Sequence, residues 1–452
     1  MNYFTLSAAA VLASLQFLSA QPCWTTIAAS EFHTTALGSN GTVWSWGGNN
    51  VGQLGNGNNF PVYTPIQTGT DSDWREITCG RHHVLAIKTN GTLWAWGNNT
   101  YGELGNGNNT NTNVPVQIGT DTDWLTVTAG GFHTMAIKTN GTLWGWGRNS
   151  DGELGNGNNT GSNVPLQIGT DTDWLAVAAG HFHTVALKTD NSLLAWGNNP
   201  NGEVGDSTTT DRFVPTAVYG GGSWIAVSAG AAHSAAINSN GEIWSWGYNG
   251  YGQIGNGNST NSLIPVQENS AQTWSSLSAG GYQTIAIASN GTLWAWGDNT
   301  YAQLGNASTT WSNVPVQTGN NTADWLLPVS DLNHSAVLKT DGSLWLCGDN
   351  YYGQLGHNLS QSQNVFMLLG CPFSTVGITE TAANAMAEVV PNPASDVIRI
   401  SNLPAGEVVR IYSAAGQLVL TATAPREIVV DALAPGIYVV QSVNAVMRFV
   451  KL

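Results

Sequence analysis

The chain has 452 residues, 54 of them glycine and 20 tryptophan, with a formal net charge of −15. Charged residues are only 9 % of the total, against ~25 % in ordinary soluble domains, yet the wealth of Trp, Val, Ile and Leu excludes a disordered chain. Residues 388–452 hold five of the 13 basic and five of the 28 acidic residues, so the other eight basic and twenty-three acidic ones put the whole excess on the preceding part; a surface of that sign repels phosphate backbones and argues against a nucleic-acid partner.

Residues 1–20, "MNYFTLSAAAVLASLQFLSA", read as a secretory signal. An apolar stretch ends in Leu18-Ser19-Ala20, small residues suited to cleavage before Gln21, although no Lys or Arg precedes it. No later stretch reaches the ~18 apolar residues of a membrane helix. The expectation is an exported protein, soluble or attached to the outer cell surface.

A 50-residue beat follows. Tryptophans that begin W-x-x-V-x-A-G stand at 24, 74, 124, 174, 224, 274 and 325. Histidines keep step at His33, His83, His133, His183, His233 and His334, with Gln283 in the sixth place. A W-x-W-G pair recurs at Trp44/Trp46, Trp94/Trp96, Trp144/Trp146, Trp244/Trp246 and Trp294/Trp296; unit four has Leu194/Trp196 and unit seven Trp345/Cys347. Seven supersecondary units at this period favour a propeller.

Each unit reads as four strands. "HTMAIKT-NG-TLWGWG" (133–147) is two alternating stretches joined by Asn140-Gly141, a pair that suits a type I′ hairpin turn. "WLTVTAG" (124–130) precedes it, and "NVPVQIG" (163–169) supplies a fourth strand whose Pro suits a sheet edge. The prediction is an all-β, seven-bladed β-propeller of four-stranded blades over 21–375, with the indoles filling the gaps between blades. Ala36, Ala86, Ala136, Ala186, Ala236 and Ala286, with Val337 in unit seven, are expected on a strand crowded near the axis.

"AGGFHTMAIKTNGTLWGWGRNSDGELGNG…VPLQ" (129–167) resembles the repeat of the regulator of chromosome condensation family, and the likeness spans about residues 24–370. It implies the same seven-bladed fold. The family's nucleotide exchange on a small GTPase and its chromatin binding are not carried over, because they call for a nuclear location and a basic tail.

Ring closure is legible in two cysteines. Cys23 lies one residue before the first repeat Trp and Cys371 directly after the last strand. Laid over an internal connection they fall three positions apart across a turn, close enough to bond. A Cys23–Cys371 disulfide is predicted, in an oxidising compartment. Cys79 and Cys347 read as buried small hydrophobes.

Residues 376–387 read as a linker, and 388–452 as a small C-terminal β-sandwich of short strands split by Gly, Pro and Asn. Pro391-Asn392-Pro393, "VRIYSAAGQLV" (409–419), "LAPGIYVV" (433–440) and "RFVKL" (448–452) resemble the sorting domain of proteins exported by the type IX route of Bacteroidota. The resemblance implies passage through the periplasm, contact with that secretion machinery and export, often with removal of this domain.

No catalytic constellation emerges, and no cofactor is expected. His82-His83 and His181-x-His183 lack zinc-site companions, no G-x-S-x-G elbow occurs, and the recurring "GELGNGN" lacks the end of a phosphate loop. The six repeat histidines obey the repeat, as scaffold residues do, and are expected to bond to backbone in their own turns. Asp71, Asp73, Asp121, Asp123, Asp171 and Asp173 in the "GTDTDW" turns are expected to make side-chain turns, with calcium ligation as the alternative.

The units differ within A-G-x-x-H, where the variable pair reads Glu31-Phe32, Arg81-His82, Gly131-Phe132, His181-Phe182, Ala231-Ala232, Gly281-Tyr282 and Leu332-Asn333. A second variable row precedes the loop glycine: Val51, Tyr101, Asp151, Asn201, Tyr251, Tyr301 and Tyr352. The resemblance places such turns together on one face of the disc. Aromatic groups ringed by polar ones suit a protein or glycan partner; packing between blades is the alternative. Phe32, Arg81, His82, Phe132, His181, Phe182, Tyr282, Tyr101, Tyr251, Tyr301 and Tyr352 are therefore the expected partner-binding face of a monomeric binding protein. An extracellular polysaccharide-degrading enzyme and a structural adhesion component are the rival functions.

Overall fold

The computed structural model describes residues 23–372 and, beyond them, 389–390, 397–400, 408–413, 418–423, 428–433, 436–441 and 446–451. The expected signal (1–20), the linker (376–387) and Pro391-Asn392-Pro393 lie outside the described residues. The chain divides into two units, the first ending at Cys371 and the second beginning at Pro372.

The first unit is a ring of seven four-stranded antiparallel sheets, each a meander in sequence order. In blade three the strands are Trp124–Ala129, His133–Lys138, Leu143–Gly147 and Ser162–Gln167. A register slip follows the opening Trp in every blade, as between Ile137 and Lys138 opposite Trp124, and a second lies between Gly145 and Gly147 opposite strand four. The one helical element among the described residues is a 3-10 turn at Gly319–Asn321.

The Asn-Gly hairpin differs from the expected type I′ form. Gly141 N donates to Lys138 O at 2.9 Å, and of the pair only Gly141 has positive φ, at 78°. The connection is a tight turn followed by a left-handed glycine bulge, which needs one residue at φ > 0 rather than two. Blade four confirms which position carries the demand: Asn191 replaces the glycine and takes φ 65°.

First strands line the axis, through Ala28, Thr78, Thr128, Ala178, Ser228, Ser278 and Val329 among others. The alanines expected there (Ala36, Ala86, Ala136, Ala186, Ala236, Ala286, with Val337) sit one strand further out, on the second strand of each blade. They are fully buried against the neighbouring blade, as Ala136 is in the cluster with Leu85, Leu93 and Trp146. The first strand already fills the crowded position, so the second is free to face the interblade core.

That core is built by tryptophan. Trp124 and Trp146 of blade three pack on Leu85, Ile87, Leu93 and Leu104 of blade two, and the same layout recurs between blades three and four and between four and five. Burying an indole contributes about 4–6 kcal/mol gross at ~25 cal/mol per Å². Trp146 Nε1 also donates to Glu103 O of blade two at 2.8 Å, so the ring is both buried and hydrogen-bonded.

The ring closes without exchanging a strand. Cys23 and Cys371 form a disulfide with Cα atoms 5.9 Å apart, joining residues 348 positions apart in sequence. The seam between blades seven and one carries the ordinary interblade bonds too: Trp46 Nε1 donates to Gln354 O at 2.8 Å, and Asn358 N to Tyr63 O at 2.9 Å. Among the described residues of the second unit are two small antiparallel sheets, one of three strands (Val389–Val390, Val397–Ile400, Ile428–Val429) and one of four (Val408–Ser413, Leu418–Thr423, Gly436–Gln441, Val446–Lys451).

Candidate functional site

The repeat histidines are interblade bolts, not clamps on their own turns. His133 Nε2 lies 3.0 Å from Thr184 Oγ1 of the next blade, and that hydroxyl donates back to Glu153 O at 2.8 Å. Its single proton is spent there, so the imidazole must donate through Nε2–H. His83–Thr134, His183–Ser234, His233–Thr284 and His334–Thr34 repeat the contact at 2.8–3.3 Å. Burial drives the pKa of His83, His133, His183 and His233 down to about 3, and that of His334 to about 4. His33 is the exception with a reason. Blade two offers Val84 where others offer a hydroxyl, and His33 Nδ1 turns instead to Ser30 Oγ at 2.8 Å, a serine where blades two to six have glycine.

The opposite side of the disc resolves the aspartate turns. Lys138 Nζ lies 2.6 Å from Asp121 and 3.0 Å from Asp123 and 4.8 and 4.7 Å from the centroids of Trp124 and Trp144. Lys88 and Lys188 bind Asp71/Asp73 and Asp171/Asp173 in the same way. Blades five and six have Asn238 and Ala288 in place of the lysine and no aspartate before Trp224 or Trp274. The oxygens considered for calcium thus each hold a lysine ammonium, and the two charges come and go together. No His, Cys, Asp and Glu group fit for a metal occurs among the described residues.

The turn side carries what the repeat does not dictate. The two variable rows interleave: Tyr101 of blade two meets Phe132 of blade three edge-on at 5.5 Å, Tyr352 meets Phe32 at 5.2 Å, and Tyr251 meets Tyr282 at 5.5 Å. Along the turns, Phe32 stacks on His82 at 5.0 Å and Phe132 on Phe182 at 5.7 Å. Each of these paired rings thus rests on a neighbour and stays partly accessible. Tyr101, Tyr251 and Tyr301 remain 46, 39 and 44 % exposed. Tyr301 stands apart, since the following turn offers Asn333 and no ring.

Guanidinium groups complete this face over blades two to four. Arg81 lies 5.7 Å from the Phe132 centroid and pairs with Glu31 at 2.5 Å. Arg148 lies 4.8 Å over Phe182, pairs with Asp151 at 2.9 Å and also contacts Glu153. His82 is held at a pKa of about 4 by burial, with Arg81 adding to it. His181 Nε2 is 3.7 Å from Asp331 of blade seven.

Sequence reasoning missed a third variable row, the x of W-G-x-N. It contains Asn98, Arg148, Tyr248, Asp298 and Asp349, and each charge or amide here selects the residue five positions on. Asn98 donates to Glu103 and Arg148 contacts Glu153, whereas Asp298 and Asp349 accept from Gln303 and Gln354 at 2.9 and 3.1 Å. A donor calls for Glu and an acceptor for Gln. The carboxylates are buried, and burial pushes the Glu103 pKa up to about 7. The alternation of Glu and Gln in G-[EQ]-L-G was the available signal.

An RCC1-like domain model matches residues 121–423. The regulator of chromosome condensation (RCC1) repeat matches at 40–87 and 90–137, and a second form of it at 24–53 and 74–103. Among solved structures, human WBSCR16 is 20 % identical with a TM-score of 0.67, covering 74 % of this chain and 95 % of that one. Prp20p from Saccharomyces cerevisiae is 18 % identical with a TM-score of 0.66, covering 74 % and 87 %. Yeast RCC1 (Prp20) from its complex with Kap60 is 16 % identical with a TM-score of 0.66, covering 82 % and 91 %. No curated protein matches the chain. These likenesses agree with the blade count and with the motif quoted from 129–167, and the chain belongs to the RCC1-like domain family.

Proposed function

We propose that this chain is an exported binding protein that holds a protein or glycan partner on the turn side of its disc. The observation that carries the reading is where symmetry fails. Histidine bolts and interblade tryptophans recur nearly unchanged, while Phe32, Arg81, His82, Phe132, His181, Phe182 and the tyrosine row vary from blade to blade. Rigid, half-exposed aromatics beside guanidinium groups are the composition of interface hot spots. Similar propellers support a binding role in kind: Prp20p is described through its binding to Gsp1p and histones, and yeast RCC1 through its complex with Kap60. Those partners are not transferred, because the present face is its own and the net charge of −15 disfavours nucleic acid.

Export rests on residues 1–20, on the disulfide, which persists in oxidising compartments, and on the type IX-like motifs of 388–452. The outer cell surface or the medium is the proposed location, and the chain is proposed to act as a monomer. The test is a glycan array and a pulldown with the purified protein, wild type and Phe132→Ala/Phe182→Ala, alongside polymer-hydrolysis assays. Capture lost in the double variant supports this face. Unchanged capture refutes it, and polymer turnover would move the protein to the enzyme class.

A further inference from the structure

The turn side divides into two sectors with different equipment. Over blades two to four, Arg81 and Arg148 lie on Phe132 and Phe182. Over blades five to seven the turn-side rings are tyrosines, and none of the described cation–ring contacts falls on them. From Trp224 to Cys371 the chain has seven acidic residues and a single lysine. That lysine, Lys339, is caged on the opposite side of the disc by Asp324, Trp325 and Trp345. The other basic residues before 388 are engaged as well: each of the eight forms an ion pair within the chain. A partner that complements this sector must bring its own cation, and the propeller of a second copy has none free.

Tyr248, Tyr251 and Tyr282 of this sector form one cluster. Tyr248 lies 5.7 Å from Tyr282 at 70°, and Tyr251 lies 5.5 Å from Tyr282 at 46°; Tyr248 and Tyr251 are 6.4 Å apart. Tyr251 is exposed and the other two are half-buried. Gly250 makes room for it: a Cβ there would run into the Tyr248 phenol, and the sister positions carry Asn50, Thr100, Ser150, Pro200 and Thr300. The chain shows elsewhere what rings at this spacing hold. Trp124 and Trp144, 5.9 Å apart at 77°, take the Lys138 ammonium at 4.8 and 4.7 Å, with two aspartates beside it. Beside the tyrosines the acid is Asp298, whose carboxylate accepts from three neutral donors, Thr300 N, Thr300 Oγ1 and Gln303 Nε2. Burial, with Tyr248, Tyr251 and Asp298 adding to it, pushes the Tyr282 pKa up, which keeps that phenol neutral. We propose that this cluster receives an arginine side chain of a protein partner, its guanidinium lying on the tyrosine faces and drawn by the Asp298 charge. Arginine is favoured over lysine because its planar, weakly hydrated head stacks on aromatic faces, and both cations that the turn side itself lays on rings are arginines. The inference rests on the turn side being the partner face, and it selects a protein over a glycan as the partner.

The experiment is fluorescence anisotropy of a labelled tetra-arginine peptide titrated with the full chain. The citrulline counterpart, alike in shape but uncharged, is run beside it. The arginine peptide is expected to saturate, with the citrulline peptide weaker by about tenfold or more. Tyr251→Leu leaves the net charge alone and is expected to weaken arginine binding about fivefold, while Tyr251→Phe, which keeps the ring, stays within about twofold of wild type. Asp298→Asn, the second variant, is expected to weaken it as well. Phe132→Ala/Phe182→Ala is expected to leave peptide affinity unchanged. Partner capture lost in that double variant, with no arginine binding by the wild type, would sink this inference and leave the turn-side reading standing. No saturation, equal affinity for the citrulline peptide, or full affinity in Tyr251→Leu, which would assign the peptide to the anionic surface at large, would overturn the proposal. So would a neutral glycan captured by the wild type and lost in Tyr251→Leu.

Discussion

At the scale of single residues, each departure from the repeat is matched by a second one nearby. Cys347 replaces the interblade tryptophan of blade seven, and Phe366 stands where every other fourth strand has proline. Phe366 fills the vacancy, 5.8 Å from Trp325, and a Cβ on Gly305 would lie 2.5 Å from its ring, where sister glycines meet an indole instead. Phe366→Ala should therefore cost about 3–5 kcal/mol. Cys347→Trp alone should destabilise by overpacking, and Cys347→Trp with Phe366→Pro should recover most of that loss. Urea melts of wild type, Cys347→Trp, Phe366→Pro and the double variant form a double-mutant cycle, and additive losses would contradict the compensation. The pairs His33/Ser30 against Val84, and Glu103 or Gln303 with their partners, follow the same logic. Only Val84 belongs to another blade; the other pairs lie within one unit and show when that unit is compared with its sisters.

At the scale of strands and turns, polar groups locate the joints between blades. The lysine cages rest on partly exposed aspartates, so each contributes modestly. Lys138→Met should cost about 1–2 kcal/mol, from a cation–π term and a surface ion pair. The loss should shrink in high salt, and a salt-independent loss would mean the methylene packing dominates. The histidine bolts predict acid sensitivity. His83, His133, His183 and His233 have folded pKa values of about 3 against an ordinary 6.5. Their stabilisation is complete above 6.5 and is lost as pH falls toward 3, by up to about 1.4 kcal/mol per pH unit for each ring. Glu103, raised to about 7, and Glu76, Glu153, Glu203 and Glu268, also raised by burial, work the other way, but each of the four rings is displaced further, and His33 and His334 add to them. Tryptophan fluorescence should report unfolding below pH 6, less steeply in His133→Gln/His233→Gln, which copies Gln283 of blade six. Equal stability at pH 7 and pH 4 would contradict the assignment. Strand number, blade number and edge prolines were legible because hydrophobic period and turn chemistry are local. The partner of each histidine, the axial position of the first strand and the bulged turn were not, because they depend on which blade follows.

At the scale of the molecule, a ring with no exchanged strand depends on its clasp. Cys23→Ser/Cys371→Ser releases a closure of 348 residues and should cost about 2–5 kcal/mol; an unchanged thermal midpoint would show that the seam bonds suffice. The cysteine pair was legible in sequence because the repeat itself supplied the ruler for the missing link. The larger division is between a symmetric scaffold and an asymmetric turn side, and one paired measurement tests it. Thermal midpoint and partner capture are to be recorded on the same samples of wild type, Thr184→Val and Phe132→Ala/Phe182→Ala. Thr184→Val should lower the midpoint while the folded protein still captures its partner, and the phenylalanine pair should abolish capture with a smaller change in midpoint. The reverse pattern, capture lost with Thr184→Val and kept without the two rings, would contradict the account.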